Sequence, residues 1–276
     1  MIFTFLCAPF FTNGQSEFAD SLFSAGDYNY AKLEYERVVF ASTNRDVINN
    51  ALLKKGYCLK NLGDYSEAYK TIERANLFGN NDTVNYIMRS EIALNAYLAG
   101  EYIVALNQIL QIDYFTKDQE KKDQILFLKI LCLNELQRWN EAKEIFTEYA
   151  KINDLQNDPN EVYSFLEKPK IRDPKKAEKL SYILPGVGQM YAGYFGKGLF
   201  SSLTQLVLVS FGAYSIYEGY FFTGAFTGIG LFYAFYSGGI RHARYLAEKK
   251  NAEKVEKYNA RVRKVILDNE QKNNNN

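Results

Sequence analysis

The sequence predicts an all-α chain: a superhelix of about four helix-turn-helix repeats, then a transmembrane helical hairpin, then a charged C-terminal helix. Three observations predict it. A short motif recurs at a fixed interval of 37 residues, as GDYNYA from Gly26, GDYSEA from Gly63, GEYIVA from Gly100 and QRWNEA from Gln137. Two long stretches, Gly198 to Tyr217 and Gly219 to Ile240, carry no charged residue, and Glu218 alone separates them. Beyond Ile240 the chain turns charged, and Val255, Tyr258, Val262 and Val265 recur every three to four residues, the period of an amphipathic helix.

The N-terminus opens on an apolar run from Ile2 to Phe11, too short to cross a bilayer and of signal-peptide length. Thr12 and Gly14 stand where a cleavage site wants small residues, so residues 1–14 are expected to be a signal peptide. No Lys or Arg precedes the run, and a hydrophobic first helix capping the next domain is the alternative.

Residues 15–153 hold the repeats. A glycine lets the chain turn sharply between antiparallel helices. Tyr28, Tyr65, Tyr102 and Trp139 are expected to pack beside the turns. Ala31, Ala68, Ala105 and Ala142 let the second helix of each pair, B, approach the first, A. In the second repeat Leu52, Gly56 and Leu59, then Ala68, Ile72 and Ala75, follow the 3.6-residue period. The pattern closely resembles the tetratricopeptide repeat. It departs in its 37-residue period, in Gln137 at a glycine position, and in Ala93 and Ile130 where the second repeat has Gly56.

The resemblance implies a groove lined by the A helices that takes a protein or peptide partner. Its register offers Leu53, Tyr57 and Lys60 from the second repeat, Ser90, Leu94 and Tyr97 from the third, and Phe127, Leu131 and Asn134 from the fourth. Ordinary packing between repeats is the competing reading of each.

Residues 154–179 read as a basic linker. Three of the five prolines, Pro159, Pro169 and Pro174, fall there, and six basic residues stand against two acids between Lys168 and Lys179. Such a run beside a bilayer attracts anionic lipid, at about 1 kcal/mol per residue. Residues 180–240 follow as a glycine-rich membrane-entry segment and two spans. Each uncharged stretch has the length needed to cross a bilayer. Gly212, Gly224, Gly228 and Gly230 are expected to let the two helices approach. The segment from Leu180 to Gly198 fails as a phosphate loop. Gly196-Lys197 has Tyr191 five residues earlier and Gly198 where a hydroxyl belongs, and a third fingerprint glycine is replaced by Tyr191. Pro185, Gly186, Gly188, Gln189, Tyr191, Gly193, Lys197 and Gly198 instead resemble the P-G-x-G-Q-x-Y-x-G pattern that heads small bacterial membrane modules of the two-transmembrane-helix type.

Residues 241–276 form the tail, with ten basic and five acidic residues from Arg241 to Lys272. The net charge of +1 gives no global attraction to nucleic acid, and none is expected as a partner. One histidine, His242, and three scattered cysteines point to no metal, cofactor or catalytic set.

The expected function is a membrane-anchored adaptor or scaffold, not an enzyme, that recruits a protein through its groove, as in envelope assembly. The alternative is a membrane module with its own role in lipid handling or protein insertion, regulated by the repeats. The setting is a bacterial inner membrane, with the repeat domain exported or, alternatively, cytoplasmic.

Overall fold

The computed structural model describes residues 11–79, 81–167 and 171–274, and among these no strand occurs. Residues 1–10 of the expected signal peptide, and Lys168, Pro169 and Lys170 of the basic linker, lie outside the described residues. The chain divides into two compact units, residues 1–163 with 269–276, and residues 164–268.

The first unit pairs α1 (Phe11–Ser24) with α2 (Tyr28–Ala41), α3 (Arg45–Asn61) with α4 (Tyr65–Glu73), α5 (Asp82–Leu98) with α6 (Tyr102–Phe115), and α7 (Gln119–Glu135) with α8 (Trp139–Ile152). This is an all-α stack of tetratricopeptide-type hairpins. Its turns share one hydrogen-bond pattern. The N–H of Gly26 donates to the Phe23 carbonyl at 3.0 Å and that of Asp27 to the Leu22 carbonyl at 2.9 Å. This crossed pair is the Schellman ending, which needs a left-handed residue between its donors. Gly26, Gly63 and Gly100 supply it at φ +81°, +78° and +82°, and Gln137 supplies it at +57°.

A left-handed residue with a Cβ costs about 1–2 kcal/mol. Glycine gives part of that back through the freedom it loses on folding. Gln137→Gly is therefore expected to stabilise the first unit by about 1 kcal/mol and to raise its Tm by roughly 2–4 °C. Thermal denaturation checks this, and an unchanged or lower midpoint would contradict it.

The four helix-B alanines, Ala31, Ala68, Ala105 and Ala142, are all fully buried. On the A helices the matching small position holds Ala19, Gly56, Ala93 and Ile130. A Cβ on Gly56 would come 2.4 Å from the Ile72 side chain, which explains the glycine there. Tyr28 packs edge-on against Phe23 at 5.3 Å and Tyr102 tilts against Tyr97 at 5.5 Å, so these two turn aromatics cover the last turn of their helix A.

Ion pairs tie neighbouring helices together. Lys54 reaches Asp20 at 2.7 Å, and Glu36 accepts from both Arg74 at 2.9 Å and Lys55 at 2.8 Å. Arg74 foremost, and then Lys55 against the cost of burial, holds the Glu36 carboxyl below its ordinary value of 4.5. A carboxyl depressed in the fold contributes stability above its unfolded pKa, and that contribution disappears as pH falls through the folded value. Glu36→Gln is expected to lower Tm at pH 7 and to flatten the decline of Tm below about pH 4.5. Acid limbs of equal slope in wild type and variant would refute this.

After α8 the chain forms α9 (Pro159–Val162), capped by Asp158 with Pro159 in its first turn. Tyr163 is buried and packs edge-on against Phe146 at 5.8 Å. The last residues of the chain join the same unit: Asn269 Nδ2 donates to the Tyr149 hydroxyl at 3.0 Å, and that hydroxyl donates to Glu270 at 2.5 Å.

The second unit comprises a 3-10 turn (Ser164–Leu166), α10 (Pro174–Ile183), α11 (Val187–Tyr191), α12 (Phe195–Tyr217), the single turn α13 (Phe221–Thr223), a π-helical stretch (Gly224–Leu231) and α14 (Phe232–Asn274), whose residues from Asn269 belong to the first unit. The Schellman ending recurs here twice. Gly193, at φ +91°, leads into α12, and Gly219, at +84°, turns α12 back into its antiparallel neighbour. The hairpin closes on glycine. A Cβ on Gly212 would sit 2.4 Å from Gly228 Cα, and one on Gly224 would sit 2.5 Å from Ile216. Gly230 differs from expectation: it faces open space and contributes nothing to the crossing.

Candidate functional site

Seven of the nine residues expected to line the groove, Leu53, Tyr57, Lys60, Ser90, Leu94, Tyr97 and Phe127, are half-buried on the A helices. Leu131 and Asn134 are not groove residues: both are buried, and Asn134 Nδ2 donates to the Tyr163 hydroxyl at 3.1 Å. Tyr163, from the segment following the fourth repeat, reaches back to Asn134. Lys60 is already engaged. Its ammonium pairs with Glu91 at 2.9 Å and lies 5.5 Å from the Tyr57 ring, so it reads as a brace between α3 and α5. Further along the stack Tyr86 donates to Gln124 at 3.1 Å and Lys121 to Thr83 at 3.0 Å, bracing α5 and α7 in the same way.

The opening on this face lies nearer the start of the A helices. A cavity of about 360 Å³ is lined by Asn49, Asn50 and Leu53 of α3 and by Val84, Ile87 and Met88 of α5. Of the nine residues only Leu53 reaches it. Val84 and Ile87 are exposed apolar residues, 36% and 40% accessible. Asn50 and Ile87 stand one helical turn before Leu53 and Ser90 in the 37-residue register, and that exposed Ile was the available signal. Asn49 shapes the cavity from behind, its amide exchanging hydrogen bonds with the Asn76 backbone at 2.8 and 3.0 Å.

The glycine-rich motif forms the packing centre of the second unit. A Cβ on Gly188 would lie 1.8 Å from the Ala177 carbonyl oxygen, and the Gly188 N–H donates to Ser181 Oγ at 3.1 Å. Gly186 and Gly198 face each other: a Cβ on either would come within 2.5 Å of the other's carbonyl oxygen. Ser202 ties the Pro185 carbonyl to α12 at 2.6 Å. The Arg172 guanidinium donates to the Tyr191 carbonyl and stacks 5.8 Å from its ring, while the Arg172 backbone exchanges hydrogen bonds with Asn251 at 2.9 and 2.7 Å. Lys197 lies 5.2 Å from the Tyr194 ring. Ala177, Ala192, Ala243, Leu246 and Ala247 fill the remaining core, where small side chains keep the helices close. Gln189 is buried with its amide 3.5 Å from the Gly239 carbonyl, and it borders a cavity of about 410 Å³ with Ser201, Phe235 and His242.

The two described thiols are inert. Burial pushes Cys58 up to about 11 and Cys132 up to about 12, far from the thiolate that reactivity requires.

Comparison with known proteins agrees with the repeat geometry. The tetratricopeptide repeat family matches residues 50–76, which cover most of α3, the Gly63 turn and α4. A protein of Methanocaldococcus jannaschii, described as "Uncharacterized protein MJ1516", is 49% identical over 41 residues, 15% of this chain and 40% of that protein. No solved structure gives a significant match. Repeats of this kind mediate protein–protein contacts, and the match supports a protein-interaction role for the repeat stack.

Proposed function

We propose that the protein is a membrane-anchored adaptor: the repeat stack recruits a protein or peptide, and the C-terminal hairpin holds it at a bilayer, with envelope assembly as the setting. The observation that carries the anchor is the surface of α12. It is long and apolar enough to cross a membrane, yet only 17% of its most apolar window is buried. Phe200, Leu203, Leu206, Val207 and Phe211 point outward, each at least half exposed. The opposing arm adds Phe222, Phe226, Ile229 and Tyr233, from 69% upward. A core helix of a water-soluble domain would bury such side chains, at about 25 cal/mol for each Å² removed from water. Lys175 and Lys179, exposed on α10, suit an anionic headgroup layer, whereas Arg172 is held by Asn251 and Tyr191.

A second reading, a membrane module with its own role in lipid handling or insertion, draws on the Gln189–Ser201–His242 cavity. Replacing Ile87 by aspartate separates the two. Under the adaptor reading it abolishes capture of the partner and abolishes function with it. Under the second reading function survives that loss, and Gln189→Leu removes it instead.

Sidedness is expected to place the repeats outside the cytoplasm of a bacterial inner membrane. Ser42→Cys and Asn273→Cys in a cysteine-free background report it. Labelling of Ser42→Cys by an impermeant maleimide in intact spheroplasts agrees with export, and labelling only after lysis assigns the repeats to the cytoplasm.

A further inference from the structure

Arg89 occupies a place in the third repeat where its neighbours bury a leucine. The equivalent residues 37 positions before and after, Leu52 and Leu126, are core side chains only 1% and 5% exposed. Putting a guanidinium there costs desolvation unless a partner offsets it. No ion pair forms with Arg89 among the described residues. Its Nη1 donates to the amide oxygens of Gln108, at 3.0 Å, and Gln111, both neutral. Nε is enclosed without a partner, and no protein group among the described residues accepts from Nη2. The Phe115 ring covers one face at 5.4 Å. Gln108, itself 7% exposed, stands where the second repeat has Thr71 and the fourth Ile145. The third repeat thus sets a polar pair side by side, with Arg89 at a position its neighbours fill with buried leucine, and the pair borders a cavity of about 660 Å³.

We propose that this cavity, between α5, α6 and the connection from α4, is a carboxylate-binding site centred on Arg89, distinct from the groove on the A helices. The guanidinium fork matches a carboxylate. Glu73 also lines the cavity, its carboxylate 3.5 Å from Gln108 Nε2, which favours a monoanion over a doubly charged phosphate. Leu77, Phe78 and Phe115 make the wall apolar, which suits an acid carried on a hydrophobic or aromatic body. Burial holds the Arg89 pKa below the ordinary arginine value, whereas Arg74 and Arg138, each facing a glutamate, are raised. The site does not depend on the membrane reading or on the partner of the A-helix groove.

The acid comes either from a peptide side chain or from a free small molecule, and one experiment distinguishes these. The full chain in detergent is melted with Ac-Phe-Glu-Phe-NH₂ against Ac-Phe-Gln-Phe-NH₂, and with benzoate against benzamide. A ligand bound only by the folded state raises Tm. The charged member of at least one pair is expected to raise Tm by about 3 °C more than its neutral isostere. The responding pair identifies the source. Arg89→Leu is expected to erase that difference while melting, without ligand, no lower than wild type, as the leucines of the adjacent repeats imply. Equal shifts within both pairs, persistence of the difference in Arg89→Leu, or a ligand-free Tm depressed by about 5 °C in that variant would overturn the proposal. The last result would assign Arg89 a structural role. Arg89→Lys provides a folded control: it keeps the charge and loses the fork, and a response equal to wild type would likewise reject bidentate capture.

Discussion

Gly188→Ala is expected to destabilise the second unit by roughly 3 kcal/mol or more. The added methyl would start 1.8 Å from the Ala177 carbonyl oxygen and 2.5 Å from Ser181 Oγ. The first neighbour is backbone in α10 and cannot rotate away, so α10 and α11 must separate. That separation would break the hydrogen bond from Gly188 N–H to Ser181 and loosen the alanine-lined core beside it. Gly196→Ala is the matched control. Gly196 lies in the first turn of α12 with nothing within 4 Å of an added Cβ, and alanine there is neutral or stabilising by about 0.5–1 kcal/mol. Thermal denaturation of the full chain in detergent distinguishes them. Equal midpoints for the two variants would mean that the glycine motif is not a packing device.

Phe146→Ala is expected to cost about 3–5 kcal/mol in the first unit. Phe146 is fully buried in α8, with the Tyr149 ring at 6.3 Å and the Tyr163 ring at 5.8 Å. Removing it leaves a cavity beneath the segment that closes the stack. It also frees Tyr163, whose hydroxyl satisfies the buried Asn134. Phe40→Ala, at a side chain 83% exposed, is expected to change stability by less than about 0.5 kcal/mol. Denaturant midpoints for the first unit check both, and similar values would contradict the packing described for α8.

Local features of this fold were legible in the sequence, and long-range ones were not. The 37-residue spacing located all four turns, and Gln137 takes the left-handed conformation that its register demanded even without a glycine. The buried alanines followed from the same register. Burial of Asn134 did not, because its partner Tyr163 lies 29 residues further on, and periodicity within a helix carries no information about what packs on it later. The turns at Gly193 and Gly219 repeat the ending at Gly26, but their apolar flanks, Tyr194-Phe195 and Tyr220-Phe221, hid the likeness to Gly-Asp-Tyr. Gly230 sits two residues from Gly228 and shares its composition signal, yet only Gly228 faces Gly212. Prolines 159 and 174, read as linker residues, each lie in the first turn of a helix behind an aspartate cap, where a missing N–H costs nothing.

Membrane insertion of the hairpin is the central claim, and flotation after alkaline extraction tests it most directly. Membranes containing the full chain are washed with carbonate at about pH 11, which strips proteins held only at the surface, and are then floated through a density gradient. An α12 that spans the bilayer with its apolar side chains against lipid keeps the protein in the floating fraction. Release of the protein into the soluble fraction, or its recovery as a dense pellet that does not float, would contradict the anchor.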